Sequence, residues 1–232
     1  MMAHNLFWIE LIEDTRRRRS LLLKFAIPII LVLPFTLGQV SSAVRFSGLP
    51  LIVLFLGVLG SSVGLSGLKD RGLLERLSAL PVSRRRMVGD YLMANVFMDA
   101  LQMTVPALVL GISFRLDAGA VSLTILGLAL CLLFANGVGV LMALAAGGSG
   151  EVHLYSAICV LGVAGMSGLF FGHASGSMDM IASSLPFALL KDGLGGSSIT
   201  ADTPHLIVSA TTTLAVLLAT IALSHRLIRS KG

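Results

Sequence analysis

Gly165, Met166, Ser167 and Gly168 form a Gly-x-Ser-Gly run, and His205 opens a later apolar stretch. A serine hydroxyl within hydrogen-bond reach of a histidine is the pairing that nucleophilic acyl transfer needs, the imidazole taking the proton as the oxygen attacks. Four such residues arise easily in a glycine-rich helix, where Gly, Ser and Ala are also the packing residues of membranes. Packing is the favoured reading, and no catalytic residue is assigned. His4, His153, His173, His205 and His225 are scattered, without the spacing that gathers metal ligands. Cys131 and Cys159 lie within apolar stretches, where cysteine behaves as a small hydrophobe, so neither a metal site nor a disulfide is expected. The phosphate-cradling pattern G-x-x-x-x-G-K-[ST] is absent, and the connection GGSGE at residues 147–151 lacks its Lys and its Ser or Thr. A nucleotide that drives this protein is therefore expected on a different chain.

One ionisable side chain lies well inside an apolar stretch. Asp90, Asn95, Asp99 and Gln102 make the first half of residues 87–114 unusually polar, and a carboxylate at membrane depth is costly unless it is paired or faces water. Asp99 is expected either at a subunit interface or translocation route, or solvated near the cytoplasmic boundary.

The elements that must position these residues are membrane helices. Hydrophobic residues make up 55% of the 232 and charged residues only 12%, a mixture far from that of a soluble domain. At about 20 apolar residues per crossing, the chain has room for roughly six spans and no separate soluble domain. The net charge of +5 belongs to basic residues flanking those spans, so it reads as a topology signal rather than a nucleic-acid footprint. A channel would show a polar filter or charged rings, and a secondary transporter an internal repeat or several buried ionisable residues; neither pattern is found.

Residues 1–20 read as an interfacial helix, with Leu6, Ile9 and Ile12 along one side, Trp8 beside them, and Glu10, Glu13 and Asp14 opposite. The first span is expected at 25–44, kinked by Pro28 and Pro34, and the alternative of a cleaved signal peptide is disfavoured by those prolines and the long polar lead-in. The second is expected at 50–68. Its Gly60 and Gly64 form a small-xxx-small pair whose face also carries Gly57 and Ser61, suited to close approach within one subunit or between two. Further spans are expected at 87–114, 120–146, 153–172 and 206–224. Residues 173–205 are too long for a turn and too polar for a crossing; Pro186 divides them into two short amphipathic pieces.

The longest polar interruption, residues 68–90, carries six of the seventeen Lys and Arg. Within it Leu73, Leu74, Leu77 and Leu80 recur at helical spacing and leave Arg71, Glu75 and Arg76 on other faces, so a short amphipathic helix is predicted. Pro81 stops it, and Ser83 is placed to cap the next helix. The run RGLLERLSALPVSRRRMVGDYL resembles the cytoplasmic loop of ABC type-2 transporter permeases, in which a Gly, a Glu and a leucine-rich turn precede Pro-Val-Ser-Arg. The matching positions are Gly72, Glu75, Leu77, Leu80, Pro81, Val82, Ser83 and Arg84; the family's common Lys early in the following span is Asp90 here.

That resemblance implies an all-α integral membrane protein. It would be a single permease domain over residues 1–232, with six transmembrane helices, an N-terminal interfacial helix and a cytoplasmic coupling helix in the loop at 69–86. Short re-entrant helices would fill the extracytoplasmic region at 173–205. It implies a second permease chain, identical or different, and two copies of a separate ATPase subunit that binds ATP and Mg, with no cofactor on this chain and membrane lipid around it. Arg71, Gly72, Leu73, Leu74, Glu75, Arg76, Leu77, Leu80 and Pro81 would contact that ATPase, and Gly57, Gly60, Gly64 and Asp99 would lie at a subunit interface or pathway. With the N-terminus inside the cell, fourteen of the seventeen Lys and Arg fall on the cytoplasmic side and only Arg45, Arg115 and Lys191 outside, a strong positive-inside bias that puts the loop where an ATPase is found. Few charges in the spans suit an amphipathic, lipid-like or drug-like cargo. The layout also resembles the haem-exporter permease of cytochrome c maturation. The Gly-x-Ser-Gly run resembles the nucleophile motif of six-span rhomboid proteases, but Leu-Ile-Val-Ser follows His205 in place of the small-residue spacing expected there, and the second span has no His or Asn for an oxyanion.

Overall fold

In hydrocarbon a backbone N–H has no water to bond, so an apolar run satisfies itself as a helix. The computed structural model describes Trp8, Ile12 and residues 18–38, 41–73, 83–170, 177–198 and 203–228, and every regular element among these is helical. In chain order they are α1 (Arg18–Leu37), α2 (Ser42–Asp70), α3 (Arg84–Phe114), α4 (Ala118–Ala145), α5 (Ser149–Met166), α6 (Ser177–Ser184), α7 (Pro186–Leu194) and α8 (Thr203–Ala222), followed by a 3₁₀ turn (Leu223–Ile228). Five of them, α2 to α5 and α8, are long and apolar enough to cross a membrane, and the chain is a multi-pass membrane protein. Large apolar side chains also face outward, among them Leu37, Ile112, Leu154, Ile207 and Leu218, as they do where lipid is the solvent. In the N-terminal segment only Trp8 and Ile12 are described, both helical and exposed.

The expected first and second spans divide differently in the structure. α1 ends at Leu37, its apolar part Leu22–Leu37 is shorter than the other five, and α2 begins at Ser42, well before residue 50. Pro50 therefore sits inside α2 rather than at its start, where it removes one N–H from the ladder without ending the helix. Close packing of α1 supports that early start, since a Cβ on Gly48 would lie 2.6 Å from the ring of Phe35.

α4 is the hub, with a glycine at each of its closest crossings. Cβ atoms added at Gly127, Gly137 and Gly139 would lie 2.9 Å from the Leu190 backbone of α7, 3.0 Å from Val216 of α8 and 2.5 Å from the Val58 carbonyl of α2. The small residues let backbones meet, which is how membrane helices gain packing without a hydrophobic drive between them. α7 reciprocates through Gly193, whose added Cβ would sit 2.8 Å from Thr124. Pro186 to Lys191, Gly193 and Leu194 are all buried, and Phe187 meets Phe134 edge to face at 5.7 Å.

Turn chemistry fixes the ends. Asp117 caps α4 by accepting the Ala120 N–H at 2.8 Å, and Ser83 caps α3 by accepting the Arg86 N–H at 3.3 Å. α3 closes with Arg115 N–H on Ile112 O and Leu116 N–H on Gly111 O, which requires Arg115 to be left-handed at φ 52°. For a residue with a Cβ that conformation costs roughly 1–2 kcal/mol.

Candidate functional site

Gly72 ends α2 at φ 64°, the left-handed position glycine adopts without penalty, and its N–H bonds Lys69 O at 3.0 Å. Arg71 beside it is exposed, whereas Leu73 turns inward onto an apolar cluster of Leu65, Leu68, Met87, Val88, Tyr91 and Leu144. Residues 74–82, which include Leu74, Glu75, Arg76, Leu77, Leu80 and Pro81, lie outside the described residues. Both stems of the loop are fastened. Lys69 Nζ donates to Ala143 O at 3.0 Å, placing a cation on the negative end of the α4 dipole. Arg84 Nη1 donates to His225 O at 3.2 Å, joining the start of α3 to the turn after α8, and Arg86 lies 4.0 Å from Asp90 one turn on.

From this base a line of polar contacts runs inward. Tyr91, almost fully buried, donates its hydroxyl to Ser61 O at 3.0 Å, and Asn95 donates to Tyr91 O at 2.9 Å. Ser61 Oγ donates to Asn136 Oδ1, while Asn136 Nδ2 donates to Asp99 Oδ2 at 2.9 Å and to Leu132 O at 3.0 Å. Asp99 stands midway along α3 and is half-buried, and Asn136 is buried completely. Three helices are thereby joined inside the apolar region, where a polar group without a partner would be expensive. A separate hydroxyl pair, Ser156 on Ser62 at 2.8 Å, joins α5 to α2.

Three of the four intramembrane residues singled out by sequence converge here. Gly57 sits against Ala135, its added Cβ 2.6 Å away and 3.4 Å from Asn136 Nδ2; Gly64 lies under the Tyr91 hydroxyl; Asp99 bonds Asn136. Gly60 does not join them, for it is exposed with nothing within 4 Å of its added Cβ. Asn136, Tyr91 and Lys69 are members that sequence reasoning missed. Asn136 had a signal, a lone amide in ALCLLFANGVGVL, and such a group needs a partner wherever it is buried.

Ser167 is buried at the end of α5 and donates its hydroxyl to Val163 O at 2.6 Å, one turn back on its own helix, and His205 is exposed near the start of α8. Among the described residues no three His, Cys, Asp or Glu side chains gather as a metal site. No protein-family model and no curated protein matches the chain.

Proposed function

We propose that this chain is the membrane subunit of an ATP-driven exporter of the ABC type-2 class. The observation that carries the reading is the fastening of the loop stems. Lys69 holds α4, Leu73 and Met87 enter one apolar cluster, and Arg84 holds the turn after α8, so displacement of the loop reaches α2, α3, α4 and α8 together. The loop sequence between the stems, with its leucine spacing and charged rim, is suited to a groove on a partner.

In this reading the protein sits in the plasma (inner) membrane with both termini cytoplasmic. Six helices cross, α1 being the first, while α6 and α7 enter from the outer side without traversing. Two permease chains work with two copies of a separate ATPase that binds ATP and Mg. ATP closes the ATPase dimer, residues 72–80 move with it, α2 and α3 follow, and the interface between permease chains opens outward. Gly60, on the open face of α2, lies at that interface. The cargo is amphipathic, because the crossing helices carry few charges to receive a highly charged one.

The test is affinity purification of the tagged chain from its native membrane in mild detergent, with mass spectrometry and an ATPase assay on the eluate. A soluble P-loop ATPase in near-equal amount, lost from the Glu75→Lys, Leu77→Asp double variant, is the expected result. Reproducible absence of such an ATPase, or its retention at full stimulated activity in the double variant, overturns the reading.

A further inference from the structure

Arg45 and Arg115 come together at the end of the bundle where α1 meets α2 and α3 meets α4, opposite the 69–86 loop. They line one cavity of about 440 Å³ with Phe46, Phe114 and Asp117. Lys191 is buried on α7, one turn before Gly195, which also lines the cavity and whose added Cβ would lie 3.8 Å from Phe46. These are the three basic residues that the positive-inside count leaves on the outer side.

The arginines are not explained by the fold. Arg45 donates Nη2 to Gly38 O at 3.2 Å, but its Nε is buried with no hydrogen-bond partner. Arg115 occupies the left-handed position that glycine fills more easily, so the backbone gains nothing from having arginine there. Asp117, the acidic residue lining the cavity, is committed to the Ala120 N–H. The cavity lining carries two guanidinium groups against this one carboxylate, an excess of positive charge.

An apolar groove of about 590 Å³ starts at the same Arg115 and runs between α3 and α4 past Ala107, Leu108 and Leu128 to Ala100 and Leu132. Its two threonines, Thr104 and Thr124, spend their hydroxyls on Ala100 O and Ala120 O of their own helices, both at 2.8 Å. The fifteen residues from Ala100 to Arg115 span about 22 Å of helix, more than the roughly 15 Å depth of one leaflet. Leu108 and Ile112 on its rim are exposed, so the groove opens sideways to lipid.

An apolar trough as long as a leaflet, with Arg115 at its mouth and Arg45 lining the adjoining cavity, is complementary to one class of molecule. We propose that the α3–α4 groove and the Arg45–Arg115 cavity hold one anionic phospholipid, its phosphate between the two guanidinium groups and an acyl chain along the groove. Arginine's fork matches phosphate oxygens, and the site's positive excess favours a lipid without a cationic headgroup. The proposal goes beyond the exporter reading, since the lipid is a bound component whatever cargo the chain carries.

The test is native mass spectrometry of the purified full chain in detergent, titrated separately with palmitoyl-oleoyl phosphatidylglycerol, the matching phosphatidylcholine, and inorganic phosphate. One phosphatidylglycerol retained roughly tenfold more strongly than phosphatidylcholine is expected, the weight of about one charge-assisted contact. Arg115→Gly, a substitution the left-handed backbone accommodates, and Arg45→Gln should each abolish the preference, and Ala107→Trp, which fills the groove, should abolish retention. Equal retention of the two lipids, or an unchanged preference in Arg115→Gly, overturns the proposal. Full displacement by inorganic phosphate together with no effect of Ala107→Trp also overturns it, in favour of a bare anion pocket. The ATPase co-purification does not depend on Arg115, so failure here and failure of the exporter reading are separable.

Discussion

Asn136 of α4 donates its side-chain amide to the carboxylate of Asp99, midway along α3, across 2.9 Å. The same amide group accepts from Ser61 of α2, so one buried side chain joins three helices. Removing it takes one hydrogen bond from Asp99 and one from Ser61 in an apolar setting.

Asn136→Leu is therefore expected to cost about 1–3 kcal/mol, read as a lower melting temperature in detergent. Asp99→Asn keeps a group that can accept from Asn136 and should cost less. A double-mutant cycle with Asp99→Leu and Asn136→Leu should give the pair less than the sum of the singles. Strict additivity would show that the two side chains do not act as a unit.

The glycine crossings make a second prediction by contrast. Gly127→Val puts a side chain where the Leu190 backbone stands 2.9 Å from the added Cβ, and should prevent recovery of folded, monodisperse protein. Gly60→Leu, with open space around it, should leave melting within about 0.5 kcal/mol of the parent. On the exporter reading it lowers the dimer fraction instead, measured by light scattering of the detergent complex.

Lys69 should show a small effect on stability and, on the exporter reading, a large one on coupling. Lys69→Met removes a cation from the C-terminal end of α4, worth about 0.3–1 kcal/mol at a partly exposed site, yet it also cuts the tie between a loop stem and the hub helix. On the exporter reading, with the proposed ATPase bound, substrate-stimulated hydrolysis should fall while basal hydrolysis and assembly persist. Unchanged stimulation would remove Lys69 from the transmission path.

Topology is open to direct labelling. In a background with Cys131 and Cys159 replaced by serine and alanine respectively, Arg85→Cys and Ala118→Cys sit on exposed residues at opposite ends of the bundle. On the proposed orientation in the plasma membrane, with the N-terminus inside, a membrane-impermeant maleimide should label position 118 in intact cells and position 85 only after the membrane is opened. The reverse pattern would invert the orientation.

Apolar length sufficed for the five long apolar helices, because in lipid an apolar run has few alternatives. Residue type sufficed for local devices set by neighbouring residues, such as the Ser83 cap and the break at Pro186 between α6 and α7. The boundary between α1 and α2 misled because proline suits a helix start as well as an interior position where the bundle supplies compensating contacts. Asp99 was legible as a residue needing a partner, but Asn136 lies 37 positions away, and no spacing rule links positions on two helices. The hub role of α4 was hidden for the same reason. Gly127, Gly137 and Gly139 read as generic small residues until each is set against the neighbour it admits.

Helix α7 bears on biogenesis. Nine residues long, it spans about 14 Å, too little to be inserted as an independent crossing, and most of its residues, Lys191 included, are buried among helices made before and after it. Most of its packing is on α4, already made when α7 emerges, so it can dock there at once through the Gly127 and Gly193 crossing, with α8 added afterwards. The order of synthesis thus sets the Gly127 and Gly193 crossing ahead of the contact between α7 and α8, so a side chain added at either glycine would be met before the last helix is made.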